Sequence, residues 1–225
     1  MLVLSVIMNI LPCPLCASQN SSWYHNDRDR DFYLCATCHL VFADPASYLS
    51  LDEERKRYDF HQNDLEDAGY RTFLNKMVSP MLSKIAPESQ GLDFGSGPGP
   101  LLKKMFEEAG HPMEVFDSYY AADPSIFKRN FDFITATEVV EHLHQPLKEL
   151  NRLWNCLKPG GYLGLMTSLN TTDIVFSNWH YHRDETHVVF FAPETMAWLA
   201  KRWQADIHHL DTSVVIFHKT NSLSI

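Results

Sequence analysis

One short run limits this chain more than any other: Leu92-Asp93-Phe94-Gly95-Ser96-Gly97-Pro98-Gly99-Pro100. A strand pattern, Gly91 to Phe94, leads into it, and a helical pattern, Leu101 to Ala109, leaves it with Gly110 as C-cap. Strand, glycine turn and helix in that order begin a parallel sheet with crossover helices. Gly95, Gly97 and Gly99 let the backbone turn tightly and come close to a ligand. The helix N-terminus behind them favours an anionic group such as a carboxylate, and Asp93 is placed to hold an ammonium group. A dinucleotide loop, G-x-G-x-x-G, needs glycine where this chain has Pro100. Pro98 and Pro100 also remove two of the N–H donors that a pyrophosphate would use. The spacing fits D-x-G-x-G-x-G instead. Asp117 ends the next strand, Met113 to Asp117, twenty residues after Gly97. An acid there can accept from both hydroxyls of a ribose, although aspartate also serves as a turn residue in that place.

The second constraint is a set of four cysteines in two pairs, Cys13-x-x-Cys16 and Cys35-x-x-Cys38, with eighteen residues between the pairs. Each C-x-x-C turn lets two thiolates converge on one ion, and two such turns complete a tetrahedral zinc shell. The stretch between them is long enough for a hairpin. Met1 to Leu11 is apolar, but it is too short to span a bilayer, which takes about 20 residues. It also lacks the basic start and cleavage site of a secretory signal. It reads as a strand or an untidy terminus, with Met8 as an alternative start, and the chain as cytoplasmic. Disulfides are disfavoured in that compartment. A closed site of four cysteines has no open position, so the metal is expected to be structural, with His25 and His39 as unused neighbours. The fifth cysteine, Cys156, falls in a helical pattern and reads as a core residue.

The remaining pattern supports three segments: a zinc ribbon over 8–48, a helical linker or lid over 49–88, and a catalytic core over 89–220. The ribbon runs to Leu40-Val41-Phe42. The charged run Asp52 to Arg57 reads as a solvated helix face or linker. Tyr70 to Ile85 repeats at helical spacing, with Pro80 expected to kink or split the helix. Tyr58, His61 and Asn63 lie just before it, where they could cover a ligand or merely connect helices. Beyond Asp117 come a strand at Phe131 to Ala136, a helix opening at Pro146, a strand at Gly161 to Thr167 and a helix at Pro193 to Trp203. Ala205 to Asp211 and Ser213 to His218 close the sheet as an antiparallel pair. The 225 residues carry 28 acidic and 19 basic side chains, a formal charge of −9. That balance disfavours tight binding along a phosphate backbone.

Residues 91 to 167, and more loosely 53 to 219, resemble the class I S-adenosylmethionine-dependent methyltransferases. The resemblance rests on the glycine loop, Asp117, Phe131-Asp132-Phe133-Ile134 and Leu157-Lys158-Pro159-Gly160-Gly161-Tyr162-Leu163, in that order. It implies an α/β, Rossmann-like sheet of seven strands with helices on both faces and an antiparallel last strand. It implies that Asp93, Gly95, Gly97 and Gly99 surround the methionine part of S-adenosylmethionine and that Asp117 binds the ribose. Ser96, Thr137 and Glu138 are included in the cofactor site. Only thirteen residues separate Asp117 from Phe131, where the family fits a helix and a further strand that carry adenine contacts. That unit must be shortened or missing, and Asp123 is the one candidate left for the adenine.

Thr137-Glu138-Val139-Val140-Glu141-His142-Leu143-His144 follows the Phe131 strand, beyond the strand C-termini where ligands sit in open parallel sheets. On a starting helical turn Glu138, Glu141 and His142 would converge. Three readings stand side by side. Glu138 anchors the loop while His142 packs; or His142 acts as general base toward an acceptor hydroxyl; or the carboxylates and imidazole hold a second divalent cation. Glu-Val-Val-Glu-His resembles the same run in ubiquinone-pathway O-methyltransferases and in small-RNA 3′-end methyltransferases. Several of these use it for metal, and the RNA enzymes add a downstream histidine, for which His187 is the counterpart here. The long stretch Asn178 to Phe191 is expected on the substrate side.

The leading expectation is methyl transfer from S-adenosylmethionine to an oxygen or carbon atom of a small molecule. Two alternatives remain: an RNA methyltransferase that uses its ribbon for recognition, and a non-catalytic ribbon protein with a degenerate methyltransferase fold. No membrane contact is expected, and the oligomeric state is open.

Overall fold

A computed structural model describes residues 11–59 and 67–220. The apolar run up to residue 10, and His61 and Asn63, lie outside the described residues. The chain begins with the strands Ser21–Asp27 (β1), Arg30–Cys35 (β2) and Val41–Ala43 (β3), which pair antiparallel in sequence. Two helices follow, Leu51–Tyr58 (α1) and Ala68–Leu82 (α2). The larger sheet starts with Gly91–Phe94 (β4), then the helix Leu101–Glu108 (α3) and the strand Met113–Phe116 (β5). Phe131–Thr137 (β6), the helix Pro146–Asn155 (α4) and Leu157–Met166 (β7) come next. The two-residue strand Val189–Phe190 (β8), the helix Pro193–Trp203 (α5), Asp206–Leu210 (β9) and Val214–His218 (β10) complete the described elements.

The larger sheet has the order β5-β4-β6-β7-β10-β9. Its first four strands are parallel, and β10 runs antiparallel to both β7 and β9. Alternate residues of β10 face opposite layers: Val214 and Ile216 pack with α2 and α3, Val215 and Phe217 with α4 and α5. The expected doubly covered α/β sheet with its antiparallel final strand is therefore present. Among the described residues the sheet has six strands, not the seven that the resemblance implies. Between Asp117 and Phe131 there is only an isolated bridge, Asp117 to Ala121, and a short 3-10 turn, Pro124–Lys128. Phe127 packs on Phe116 there, with ring centroids 4.6 Å apart, and so covers part of the exposed edge.

Pro80 does not split its helix. α2 runs through it and ends at Leu82, because in the last turn a missing N–H and a displaced carbonyl disturb little of the ladder. The charged run forms α1 as expected, but not wholly as a solvated face, since Glu54 is buried.

The ribbon does not stop at Phe42. β3 pairs antiparallel with β8, Val41 opposite Phe190 and Phe42 opposite Val189, so a strand from the long loop completes the N-terminal sheet. The apolar interior is continuous as well. Leu15, Leu40 and Phe42 belong to the same packed cluster as Leu150, Val189 and Phe191. A module this small gains its interior by sharing one. Phe42 is fully buried at that junction, and truncating such a side chain costs about 3–5 kcal/mol. Urea unfolding of Phe42→Ala is expected to show one cooperative transition at a lower midpoint for the entire chain. Two separated transitions, with the core's midpoint unmoved, would refute the shared interior.

Candidate active site

A cavity of about 770 Å³ opens at the C-terminal ends of the parallel strands, within the size range of small-molecule sites. Gly95, Ser96, Gly97 and Asp117 line one side, and Thr137, Glu138, His142 and His187 line the other. Gly95 has φ 78° and Gly97 φ 63°, which favour glycine. A Cβ on Gly95 would also sit 2.3 Å from Cγ2 of Val139. Asp117 is held in place by three amides: Gly97 donates to Oδ2 at 2.9 Å, while Tyr119 and Tyr120 donate to Oδ1 at 2.8 and 3.1 Å. The turn reading of this aspartate is therefore met, and its carboxylate also lines the cavity.

Asp93 and Gly99 are not among the lining residues. Asp93 is buried behind the loop, accepting a hydrogen bond from the Thr135 hydroxyl at 3.1 Å. Burial pushes its carboxyl up to about 7, the Thr135 bond opposes this, and the Asp117 charge adds to it. Asp123 is exposed and caps the 3-10 turn through the Ser125 amide, so it does not reach the cavity as an adenine contact.

Glu138, Glu141 and His142 come together as the sequence suggested, but through an irregular turn rather than an α-helix. Glu138 has φ 53°, an uncommon value for a side chain with a Cβ, and Val140–His142 form one 3-10 turn. The Tyr181 hydroxyl donates to Glu141 Oε1 at 2.6 Å and reaches Glu138 Oε2 at 3.4 Å. Burial, then the neighbouring Glu141 charge, pushes Glu138 up to about 8. Glu141 is fully buried and its carboxyl is likewise raised, chiefly by desolvation. Its second oxygen has no hydrogen-bond partner among the described residues.

His187 joins this group from the long loop. Its Nδ1 lies 2.7 Å from the Tyr181 carbonyl oxygen, and His142 Nδ1 lies 3.1 Å from the Thr186 carbonyl oxygen. A carbonyl only accepts, so Nδ1 carries the proton in both rings and Nε2 bears the lone pair when the ring is neutral. Burial, followed by the nearby His142, lowers the pKa of His187 and favours the neutral form. One donor atom each from Glu141, His142 and His187 lie within 4.8 Å of one another. Such a set of lone pairs accommodates a divalent cation or a transferred proton.

The cysteines form a second site, away from the cavity. Sγ of Cys13 is 3.5 Å from Cys38, Sγ of Cys16 is 3.5 Å from Cys35, and all four lie within 4.8 Å of one another. Disulfides need about 2.05 Å, whereas Zn–S bonds of about 2.3 Å set tetrahedral edges of about 3.8 Å. The two knuckles match. Ala17 donates to Cys13 O and His39 to Cys35 O, each at 2.9 Å, and Ala17 and His39 have φ 59° and 60°. The four-cysteine cluster is consistent with a zinc ribbon, and His39, exposed at its left-handed position, is not drawn in.

Sequence reasoning missed several lining residues. Glu54 on α1 accepts from the Tyr119 hydroxyl at 3.3 Å and pairs with His144 at 2.8 Å. A buried carboxylate inside a charged helical run leaves no trace in the pattern. Arg152 lies over the Phe127 ring at 3.6 Å and also lines the cavity. Among the described residues, no helix is long and apolar enough to cross a membrane.

Residues 65–210 match the family model described as methyltransferase domain. No curated protein sequence matches the chain. Among solved structures it is similar to the Burkholderia thailandensis 1,6-didemethyltoxoflavin-N1-methyltransferase with bound 1,6-didemethyltoxoflavin and S-adenosylhomocysteine. The TM-score is 0.53 at 13% identity, over 88% of this chain and 99% of that one. It is also similar to a SAM-dependent methyltransferase from Archaeoglobus fulgidus, with TM-score 0.50 and 17% identity over 75% of this chain and 98% of that one.

Elemental analysis is expected to give about one zinc per chain, held by the cysteines. That zinc should be lost in Cys13→Ser/Cys35→Ser, and an unchanged zinc content would refute the ribbon. The buried carboxyl at Glu138 makes stability depend on pH. Its pKa rises from the ordinary value of 4.5 in the unfolded chain to about 8 in the folded one. Its contribution is therefore fully present below about pH 4.5 and lost as pH rises through 8. Tm should fall over that window, and it should fall less in Glu138→Gln. Parallel Tm–pH curves for the two proteins would rule out a buried carboxyl.

Proposed function

The chain belongs to the methyltransferase domain family and is an S-adenosylmethionine-dependent methyltransferase; from that premise we propose that its acceptor is a small molecule methylated on a hydroxyl oxygen. One observation carries this reading. A single cavity has the glycine loop and Asp117 at one side, and Glu138, His142 and His187 at the other. Carbon methylation of an acidic C–H acceptor uses the same proton-accepting groups and is the second reading. The net charge of −9 weighs against RNA as acceptor.

When bound, S-adenosylmethionine supplies the methyl group on a sulfonium, and the thioether leaves. Gly95, Ser96 and Gly97 let the backbone approach the methionine part, with Asp93 behind them supporting the loop. Asp117, with both Oδ1 sites and one Oδ2 site taken by amides, keeps room at Oδ2 for a ribose hydroxyl. Thr137 and Glu138 border the reacting end. Glu141, His142 and His187 would hold a divalent cation, which lowers the pKa of an acceptor hydroxyl. The donor chemistry fits: two imidazole Nε2 atoms and a buried carboxylate that has an unpartnered oxygen. Glu138 lies beside this cluster and, in its ionised form, takes up the acceptor's proton. We further propose that residues 8–48 are the ribbon, 49–88 a covering helical segment and 89–220 the catalytic core.

The test is transfer of labelled methyl from S-adenosylmethionine into a metabolite extract. Wild type is expected to label an extractable small molecule, and His187→Ala to do so roughly 10²–10⁴-fold more slowly. Label found only in RNA would overturn the acceptor class. A rate that survives a chelator removing every non-cysteine-bound metal would return the cluster to proton acceptance alone.

A further inference from the structure

We propose that Arg30, on the ribbon, is a positioning residue for the reacting cluster of the core. It fixes the loop backbone whose carbonyl oxygens orient the rings of His142 and His187. The inference rests on the reading of those two histidines as the reacting cluster.

Arg30 opens β2, and its guanidinium is buried, with the residue 8% exposed. It donates to the carbonyl oxygens of His182, of Glu185 at 3.3 Å and of His187 at 3.2 Å. In the same stretch, the carbonyl of Tyr181 accepts from His187 Nδ1 and that of Thr186 accepts from His142 Nδ1. Five carbonyls within seven residues are thus divided between one guanidinium and two rings of the reacting cluster. The rings cannot keep their tautomers and tilts unless those carbonyls keep their directions. Secondary structure gives the loop little support there: it holds two short 3-10 turns, Phe176–Asn178 and His180–Arg183, and reaches a strand only at Val189.

The chemistry of the clamp fits position better than stability. Guanidinium offers five donors in a rigid fork, which suits several fixed acceptors at once. Burying it costs desolvation that three carbonyls and the Phe32 ring, 5.1 Å away, offset in part. An apolar side chain would fill the space but take away the donors of three carbonyls and leave their directions unset. The same hairpin makes a second tie, since Asp27 on β1 pairs with the buried His182 at 3.1 Å. Cys35 ends the strand that Arg30 begins. The cysteine cluster, β2, Arg30 and the loop therefore form one mechanical path, and the ribbon positions the reacting cluster although none of its described residues lines the cavity.

The test uses full-length protein with Arg30→Met, which removes the donors, and Arg30→Lys, which keeps the charge without the fork. Zinc content and S-adenosylhomocysteine affinity by calorimetry are expected to stay at wild-type values in both. Hydrogen exchange should quicken at the amides of Thr186, His187 and Val188, and labelled-methyl transfer should fall about 10²-fold in Arg30→Met, with KM for S-adenosylmethionine unchanged. Arg30→Lys should recover part of the rate, and it serves alone if Arg30→Met does not fold. A merely structural arginine would lower Tm and leave the rate of the folded protein intact, and that result overturns the proposal. Wild-type exchange at those amides overturns it as well. If His187→Ala also leaves the rate intact, the failure belongs to the reading of the cluster.

Discussion

The antiparallel pairing of Val41–Ala43 with Val189–Phe190 is the contact on which the rest of the architecture turns. Those backbone hydrogen bonds tie a segment near the N-terminus to the end of the long loop that follows β7. Ala43 donates to Val188 O, and Val188 donates to Glu141 O, each at 2.9 Å. The ribbon, the loop and the turn that carries the acidic cluster are thereby joined by main-chain bonds, which depend on no side-chain identity. Without this pairing, the loop that carries Tyr181 and His187 would lose its strand contact with the ribbon and keep the Arg30 bonds and the Val188–Glu141 bond. With it, the four-cysteine cluster anchors one end of a continuous strand layer that reaches the cavity.

That scaffold permits an arrangement that would otherwise be unfavourable. Glu138, Glu141 and the Nε2 atoms of two histidines crowd one small region, and all are acceptors when the carboxylates are charged and the rings neutral. Desolvation raises both carboxyl pKa values and lowers that of His187. Each shift reduces the charge that the site must carry before a ligand binds. Tyr181 supplies the one hydroxyl bridging the two carboxyls. Strongly perturbed groups gathered at a cavity are the chemical setting in which reacting centres are found. The left-handed backbone at Glu138 fits the same account, because strain is kept where the surroundings hold a residue in a required direction.

How much of this was legible depended on whether a signal was local. The glycine loop, the C-x-x-C knuckles, Pro146 at a helix start and the β9–β10 closure are set by neighbours in sequence, and each stands where the pattern put it. The convergence of His187 on Glu141 and His142 was reached only through resemblance, since 44 residues separate Thr186 from the ring it orients. Arg30 and Glu54 were invisible. Their surroundings are polar, their burial is tertiary, and no periodicity distinguishes a buried charge from a solvated one. The seven strands that the resemblance implies exceed the six described by one, at the place where the thirteen residues after Asp117 already pointed to a shortened or missing unit.

That missing unit and the added N-terminal helix are complementary. A sheet that ends at β5 leaves the cavity's outer wall unbuilt on the side of Asp117. Here the short connection turns back at once, with Asp117 accepting from the Tyr119 and Tyr120 amides. The two tyrosines then reach α1: Tyr119 donates to Glu54 at 3.3 Å, and Tyr120 to Asp59 at 2.8 Å. Glu54 continues to His144 at 2.8 Å, on the far side of the opening. One buried carboxylate from a charged helix therefore spans the gap between the β5 and β6 ends. A segment from before the core thus supplies the wall on that side, which accounts for a charged residue being buried on a mostly solvated helix.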